Sequence, residues 1–266
     1  VGIGGDGKGS FNLSSMASLA AAACGQKVAK HGNRAVSSFC GSADFFGELG
    51  YPLAIPPRQA EHLLADTGFV FLYAPTYHSA MKHAAAARRE LAIRTLMNLL
   101  GPLANPSRAG FQLLGVPEDS MLKPLADAAM LLGGKRVMTI HSEDGLDEFS
   151  CAGATHCLLR EAGGETREFV FQPSEVGIRG RDSAVLKGGT AEVNAAIALD
   201  LMQGRETGGM LEAACLNAGA GLFVAGATPD IASGYHKVRQ AFAAGQVGKY
   251  FTSVITRSQE LAAVPA

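Results

Sequence analysis

The chain has 266 residues, of which 47% are hydrophobic and 18% charged, and its formal net charge is −1. This composition excludes a disordered chain, and so small a net charge gives no general attraction to nucleic acid or to anionic membranes. The apolar stretches are interrupted well before the ~20 residues that a membrane-spanning helix needs.

A glycine-rich segment opens the chain. Its glycines let the backbone approach a ligand closely, so that successive N–H groups can surround a phosphate, and Lys8 adds a positive charge. Gly2, Gly7 and Lys8 have the spacing of a P-loop, but Gly9 stands where that motif needs Ser or Thr, which disfavours a P-loop nucleotide hydrolase. Taken alone, the segment is explained equally well as a surface turn. Because such a loop normally follows a strand, we expect an upstream segment, absent from this numbering, to supply it.

Polar residues follow the first predicted strand. An apolar helix is predicted over residues 13–24, ended by Gly25, and a short strand over residues 27–30. The next segments are Lys30-His-Gly-Asn-Arg-Ala-Val-Ser-Ser38 and Gly41-Ser-Ala-Asp44. They place cations, an amide and hydroxyls just past the carboxyl end of a strand, which is where open α/β sheets bind ligands.

Strands and helices alternate through the middle of the chain. The pattern predicts strands over residues 69–73, 111–116 and 137–140, and helices over residues 79–100 and 121–132. The alternation predicts an α/β fold with a mixed, mostly parallel central sheet flanked by helices. The last third adds predicted strands at 155–160 and 167–171 and helices at 191–202, 209–224 and 231–244, with Thr190 as a helix cap.

An acidic turn follows the strand at 137–140. Its carboxylates are Glu143, Asp144, Asp147 and Glu148, and carboxylate oxygens are ligands that magnesium prefers. Considered alone, this run is better explained as a solvated turn. The phosphate-type loops elsewhere in the chain favour magnesium, because the ion commonly bridges carboxylates and substrate phosphates.

Cysteines and histidines give little support to a transition-metal centre. The five cysteines form no C-x-x-C pair, and no two histidines have the H-x-x-x-H spacing of a helical zinc site. We interpret the cysteines as free thiols in a reducing compartment, and therefore expect a cytoplasmic protein.

The motifs, taken together and in order, resemble the anthranilate phosphoribosyltransferase family. They are Gly2-Ile-Gly-Gly-Asp6, Lys8-Gly-Ser-Phe-Asn-Leu-Ser14, Lys30-His-Gly-Asn-Arg34, Ser37-Ser38, Gly41-Ser-Ala-Asp44, Ala74-Pro-Thr-Tyr-His78, Arg94-Thr-Leu-Met-Asn-Leu-Leu-Gly-Pro-Leu-Ala-Asn-Pro106 and Asp144-Gly-Leu-Asp-Glu148. The resemblance implies transfer of a phosphoribosyl group from phosphoribosyl pyrophosphate (PRPP) to anthranilate, with release of pyrophosphate, in tryptophan biosynthesis.

The resemblance also implies a domain organisation. Residues 1–79 are expected to form an α/β part that binds PRPP, residues 80–106 a segment of a small helical domain, and residues 107–266 the remainder of the α/β domain. Most of the helical domain would precede the glycine-rich segment, and its helices would form a homodimer. Magnesium is the implied cofactor.

Site residues carried over from the family fall into three groups, and none of them is a nucleophile. Lys30 and Arg88 are implied to position the substrates, although Arg88 alone is more simply a solvated helix charge. The PRPP group comprises Gly2, Gly5, Asp6, Ser10, Asn12, Ser14, Ser15, Lys30, Gly32, Asn33, Arg34, Ser37, Ser38 and Ser42. The anthranilate group comprises Gly2, His31, Asn33, His78 and Arg88. The magnesium group comprises Ser14, Asp147 and Glu148.

Two positions depart from the family pattern. Ile3 replaces the usual Thr, and Phe39-Cys40 replaces a more polar pair before Gly41. Two alternatives stay open at this stage: a pyrimidine nucleoside phosphorylase, similar in fold but using inorganic phosphate, and a non-catalytic relative in which the same groups only bind ligand.

Overall fold

Two β-sheets carry the described part of the chain, which a computed structural model gives as residues 9–35, 39–78 and 96–264. The first pairs β1 (Val28–Gly32) with β2 (Phe69–Tyr73) in parallel. The second has the order β3 (Phe111–Gly115), β4 (Arg136–Ser142), β5 (Thr155–Glu161) and β6 (Arg167–Phe171). Its first pairing is parallel and the next two are antiparallel, so the predicted α/β fold with mixed strand directions is confirmed. The described strands nevertheless form two sheets rather than one central sheet, and two of their four pairings are antiparallel rather than mostly parallel. The segment between β5 and β6 is too short for the crossover that a parallel pairing needs.

Ten α-helices accompany these strands in the described residues. They are α1 (Leu13–Ala23), α2 (Ser42–Glu48), α3 (Pro57–Thr67), α4 (Ala74–Tyr77), α5 (Leu96–Leu103), α6 (Leu122–Leu131), α7 (Ala191–Met202), α8 (Gly209–Val224), α9 (Ile231–Ala243) and α10 (Gln246–Ala262). None of the helices in these described ranges is long and apolar enough to cross a membrane.

The β1–β2 sheet brings two polar segments to one edge. Every residue of β2 except Tyr73 is buried, because the strand is a continuous apolar run suited to a sheet covered on both faces. In the parallel register Lys30 lies opposite Phe71 and His31 opposite Leu72. The carboxyl ends of both strands therefore lie at the same edge, which receives the loop after β1 and the α4 segment that leads to His78.

Two central helices form much of the core. Helix α8 is buried almost throughout, since its residues are nearly all apolar or small, and it packs against α1 and α9. A Cβ added at Gly219 would lie 2.3 Å from the Tyr235 nitrogen, so the close approach of α8 and α9 requires glycine there. This core supports α1, whose amino-terminal end faces the candidate site.

A tight turn follows β4. Ser142 accepts a hydrogen bond from the Gly145 nitrogen at 2.8 Å and donates its own N–H to the Leu146 carbonyl at 3.0 Å. Gly145 has φ +85°, in the left-handed region that favours glycine. The turn directs the chain back toward the core, where Asp147 and Glu148 are buried.

Most elements predicted from the sequence are confirmed, within a residue or two at their ends. The Thr190 cap is also confirmed, because its side chain accepts from the Val193 nitrogen. The sequence interpretation missed α2, α3, α4 and α10. The helix predicted over 79–100 lies mostly outside the described residues, and the division into domains stays a prediction. All five cysteines are free.

Candidate active site

Three distant segments meet at the amino-terminal end of α1. The Ser14 backbone N–H donates to Glu148 Oε1 at 2.9 Å, and Lys30 Nζ donates to Ser14 Oγ at 3.2 Å. Ser14 comes from α1, Lys30 from β1 and Glu148 from the turn after β4. The predicted PRPP and magnesium groups are thus in direct contact at these three residues.

Lys30 is a buried cation. Only 3% of it is exposed, and burial lowers its pKa to about 8, an effect that the attraction of Glu148 partly opposes. With that pKa the ammonium is still mostly charged at neutral pH. A buried positive charge at the start of a helix, where the helix dipole is also positive, is suited to an anionic ligand.

Burial divides the acidic turn into two pairs. The Glu143 side chain is 61% exposed, and Asp144 accepts a hydrogen bond from Ser150 Oγ at 2.5 Å, which stabilises the turn. Asp147 and Glu148 are instead 5% and 9% exposed. The solvated interpretation thus holds for Glu143 but not for Asp147 and Glu148.

Two contacts hold the buried pair in place. A Cβ added to Gly115, at the end of β3, would lie 1.5 Å from the Asp147 carbonyl oxygen, so the strand and the turn touch through their backbones. The Asn217 side chain on α8 accepts from the Phe149 nitrogen and donates to the Phe149 carbonyl, both at 2.9 Å. Glycine at 115 and the amide at 217 therefore fix the backbone on either side of Glu148.

The oxygen atoms gathered here fit magnesium. Within the described ranges no cluster of three or more His, Cys, Asp or Glu side chains could hold a metal ion. The Glu148 carboxylate and the Ser14 hydroxyl are hard-oxygen donors, however, and Asp147, the residue before Glu148, is also buried. Magnesium typically takes only one or two carboxylates and completes its shell with water and substrate phosphates. The chemistry of the residues present is that of a site shared with a phosphate ligand.

The loop after β1 folds onto the start of α2. The Asn33 carbonyl accepts from the Ala43 nitrogen at 3.1 Å, and a Cβ at Gly32 would lie 1.9 Å from Ser42 Oγ. These contacts bring Gly32, Asn33 and Ser42, three residues of the predicted PRPP group, close together. The Arg34 side chain is instead engaged within the protein, because its guanidinium donates a hydrogen bond to the Asp44 carboxylate at 2.8 Å.

His31 and His78 meet at the edge of the β1–β2 sheet. Their ring centroids are 5.0 Å apart with planes at 75°. Burial, followed by repulsion from His78, lowers the pKa of His31 to about 4, so its imidazole is neutral at physiological pH. Both Nε2 atoms are buried and have no hydrogen-bond partner in the described part of the chain. The two imidazole rings therefore form an aromatic surface, the His31 and His78 wall, whose Nε2 atoms have no partner among the described residues.

The end of the glycine-rich segment is tied to a later part of the chain. Ser10 forms a β-bridge with Lys187, and Asn12 Oδ1 accepts from Asn194 Nδ2 at 2.8 Å. Ser15 Oγ is buried and has no partner among the residues that the structure describes, so it is available to a ligand. These residues lie along the same end of α1 as Ser14.

Some predicted residues cannot be located, and some contributors were missed. Gly2, Gly5, Asp6, Ser37, Ser38 and Arg88 lie outside the described residues. Sequence interpretation missed Asn194, Asn217 and Gly115. The only signal for Asn217 is an amide within an otherwise apolar helix, and nothing in the sequence connects it to the acidic turn.

The chain is similar to proteins of a known family. A family described as "Glycosyl transferase family, a/b domain" matches residues 1–247. The chain is 42% identical over its whole length to an anthranilate phosphoribosyltransferase of Methylocella silvestris, of which it covers 75%. It is 43% identical to another from Trichlorobacter lovleyi, with 92% of this chain and 70% of that protein covered.

Solved structures show the same likeness. The anthranilate phosphoribosyltransferase of Thermus thermophilus matches with a TM-score of 0.89 and 41% identity, covering 97% of this chain and 76% of that one. The Saccharomyces cerevisiae enzyme in complex with PRPP and Mg matches with a TM-score of 0.89 and 26% identity, covering 97% and 72%. The chain therefore belongs to this glycosyl transferase family and, within it, to the anthranilate phosphoribosyltransferases.

Proposed function

We propose that the contact of Lys30, Ser14 and Glu148 is the centre of the PRPP and magnesium site. The chain is an anthranilate phosphoribosyltransferase of tryptophan biosynthesis, which transfers the phosphoribosyl group of PRPP to the anthranilate amine. The observation that carries the assignment is the pair of hydrogen bonds from Ser14 N–H to Glu148 at 2.9 Å and from Lys30 to Ser14 Oγ at 3.2 Å.

PRPP is assigned to the surface formed by the start of α1, the loop after β1 and Ser42. A phosphate ligand requires hydrogen-bond donors and positive charge, and the side chains of Lys30, Asn12 and Ser15 supply both. The complex of the yeast relative with PRPP and Mg supports this assignment. Gly2, Gly5, Asp6, Ser10, Arg34, Ser37 and Ser38 stay predictions.

Magnesium is assigned to Ser14, Asp147 and Glu148. When bound, the ion neutralises charge on the pyrophosphate that leaves the ribose. Lys30 acts on the same leaving group, because its buried ammonium contacts Ser14 directly and interacts more strongly with an anion than a solvated lysine would. These residues bind and orient PRPP while the bond between its ribose and pyrophosphate breaks, so no nucleophilic side chain is required.

Anthranilate is assigned to the His31 and His78 wall. A neutral imidazole at position 31 can pack against an aromatic ring and still offer Nε2 for a hydrogen bond. Asn33 and Gly2 would complete the pocket, and Arg88 would hold the carboxylate through its planar guanidinium. Complexes of the yeast relative with 4-fluoroanthranilate support an anthranilate site in the family. The homodimer also stays a prediction.

The test follows the loss of anthranilate fluorescence after PRPP is added, across a magnesium titration. We expect Glu148→Gln to require more magnesium, because one oxygen ligand of the ion is weakened. Glu143→Gln is the matched control, since this carboxylate lies in the same turn with its side chain 61% exposed, and its magnesium response should equal that of the wild type. Equal magnesium responses for both variants would reject the metal assignment.

A further inference from the structure

One sequence motif meets the candidate site through its contact with Asn12. The segment Gly188-Gly-Thr-Ala-Glu-Val-Asn194 starts helix α7, and its last residue is 1% exposed. Asn194 lies 182 positions from Asn12 in sequence, yet their side chains form a hydrogen bond of 2.8 Å. The buried Asn194 amide thus contacts Asn12, a residue assigned to PRPP, from a distant part of the chain.

The amide groups form a relay with a fixed direction. The Gly189 backbone N–H donates to Asn194 Oδ1 at 2.8 Å, Asn194 Nδ2 donates to Asn12 Oδ1 at 2.8 Å, and Asn12 Nδ2 donates to the Cys40 carbonyl at 3.2 Å. The first group is a backbone N–H and can only donate, whereas the last is a carbonyl and can only accept. The donor at Gly189 and the acceptor at Cys40 thus determine which way the side-chain amides of Asn194 and Asn12 are oriented.

The direction of the relay determines which polar group of the Asn12 side chain is available to a ligand. Its oxygen faces the buried Asn194, while its NH2 group lies toward Cys40, two residues before Ser42. After the bond to Cys40, the second N–H of that group has no partner among the residues that the structure describes. An anionic phosphate accepts hydrogen bonds and repels a carbonyl oxygen, so only this orientation of Asn12 suits PRPP.

The backbone around the relay is equally constrained. The Gly188 nitrogen donates to the Gly9 carbonyl at 3.0 Å, and the Phe11 nitrogen donates to the Leu186 carbonyl at 2.8 Å. A Cβ at Gly188 would lie 2.8 Å from both Phe11 Cα and Asn194 Oδ1. The start of α7 therefore supports the segment that carries Asn12.

We propose that Asn194 is a positioning residue for PRPP, which holds the Asn12 amide with its NH2 group toward the ligand. The inference rests on the proposed function, because it requires PRPP at the start of α1. Asn194 acts through Asn12 and does not itself touch the ligand.

The main test is a double-mutant cycle of Asn194→Asp and Asn12→Ala in the intact protein. The aspartate keeps the shape and the acceptor for Gly189 but cannot donate to Asn12, so the Asn12 amide turns over. We expect Asn194→Asp to raise the dissociation constant of PRPP, measured by calorimetry without anthranilate, about tenfold, the worth of one hydrogen bond to a charged group. The KM for PRPP should rise in parallel, with the KM for anthranilate nearly unchanged.

The cycle separates positioning from the added charge. If Asn194 acts through Asn12, the double variant binds PRPP as the Asn12→Ala variant does. A further loss in the double variant, or unchanged PRPP binding in Asn194→Asp, would overturn the proposal. Asn194→Ala provides the same comparison without a new charge, should the aspartate prevent folding.

Thr190→Ala is the control for the helix start. It removes the cap of α7 without touching Asn12, so we expect a lower melting temperature with unchanged PRPP binding. An equal loss of PRPP affinity in Thr190→Ala would show that Asn194 is only structural. If the wild-type protein does not bind PRPP, the proposed function itself fails. If it binds PRPP and the Asn194 variants match it, only this inference fails.

Discussion

Burial of His31 makes the stability of the fold depend on pH in a defined window. The folded protein holds the pKa of His31 at about 4, whereas the unfolded chain takes up the proton near the ordinary value of 6.5. Between these values the unfolded state binds more protons. The stabilisation is fully present above pH 6.5 and is lost as the pH falls toward 4. For a change from pH 7.5 to pH 5 the two pKa values give a loss of about 2 kcal/mol.

The experiment compares wild type with His31→Asn by urea unfolding at both pH values. Nε2 of His31 has no partner within the described ranges, and a backbone hydrogen bond to Gly101 raises the pKa of the imidazole slightly. The asparagine side chain keeps an N–H donor near the position of His31 Nδ1 but does not titrate. Because the imidazole is only partly buried, we expect wild type to lose roughly 1 to 2 kcal/mol more than the variant.

A matched control is available on α3. His62 is exposed, so His62→Asn should leave the difference between the two pH values as it is in wild type. If His31→Asn loses as much stability as wild type on acidification, the imidazole is not kept neutral by the fold and the reasoning is wrong.

Three further predictions concern the residues that hold the site. Gly115→Ala adds a Cβ 1.5 Å from the Asp147 carbonyl, so we expect a loss of about 1 to 3 kcal/mol in urea unfolding and a weaker magnesium response. Asn217→Leu removes both hydrogen-bond partners of the Phe149 backbone and should lower the free energy of unfolding by about 2 kcal/mol or more. Asn217→Asp should restore part of this stability, because it keeps the acceptor for the Phe149 nitrogen. Equal unfolding midpoints for the two variants would contradict this prediction. Lys30→Met removes the buried charge, and steady-state kinetics should show a KM for PRPP raised at least about tenfold in a folded protein, whereas an unchanged KM would place PRPP elsewhere.

Local patterns were sufficient for most of the secondary structure. Strand β2 follows from its continuous apolar run, and the start of α7 follows from the Thr190 cap. Helices α2, α3, α4 and α10 were missed. Helix α3 begins at Pro57 and is followed by Gly68 with φ +82°, and proline at a helix start and glycine after its end are both boundary signals in the sequence. Helix α10 has many polar residues, so its apolar face is less evident.

The order of the motifs along the chain was sufficient to indicate the family, because their combination resembles it, whereas the glycine-rich segment and the acidic turn taken singly are also explained as surface turns. The residues that the resemblance assigns to each ligand stay predictions. Only the tertiary structure decided which carboxylates of the acidic turn are buried, since burial depends on where the turn after β4 meets β3 and α8. It likewise decided that Arg34 binds Asp44 and that Asn194 reaches Asn12. These contacts join residues far apart in the chain, or residues in a loop whose path is set by its neighbours, and no periodicity in the sequence encodes them.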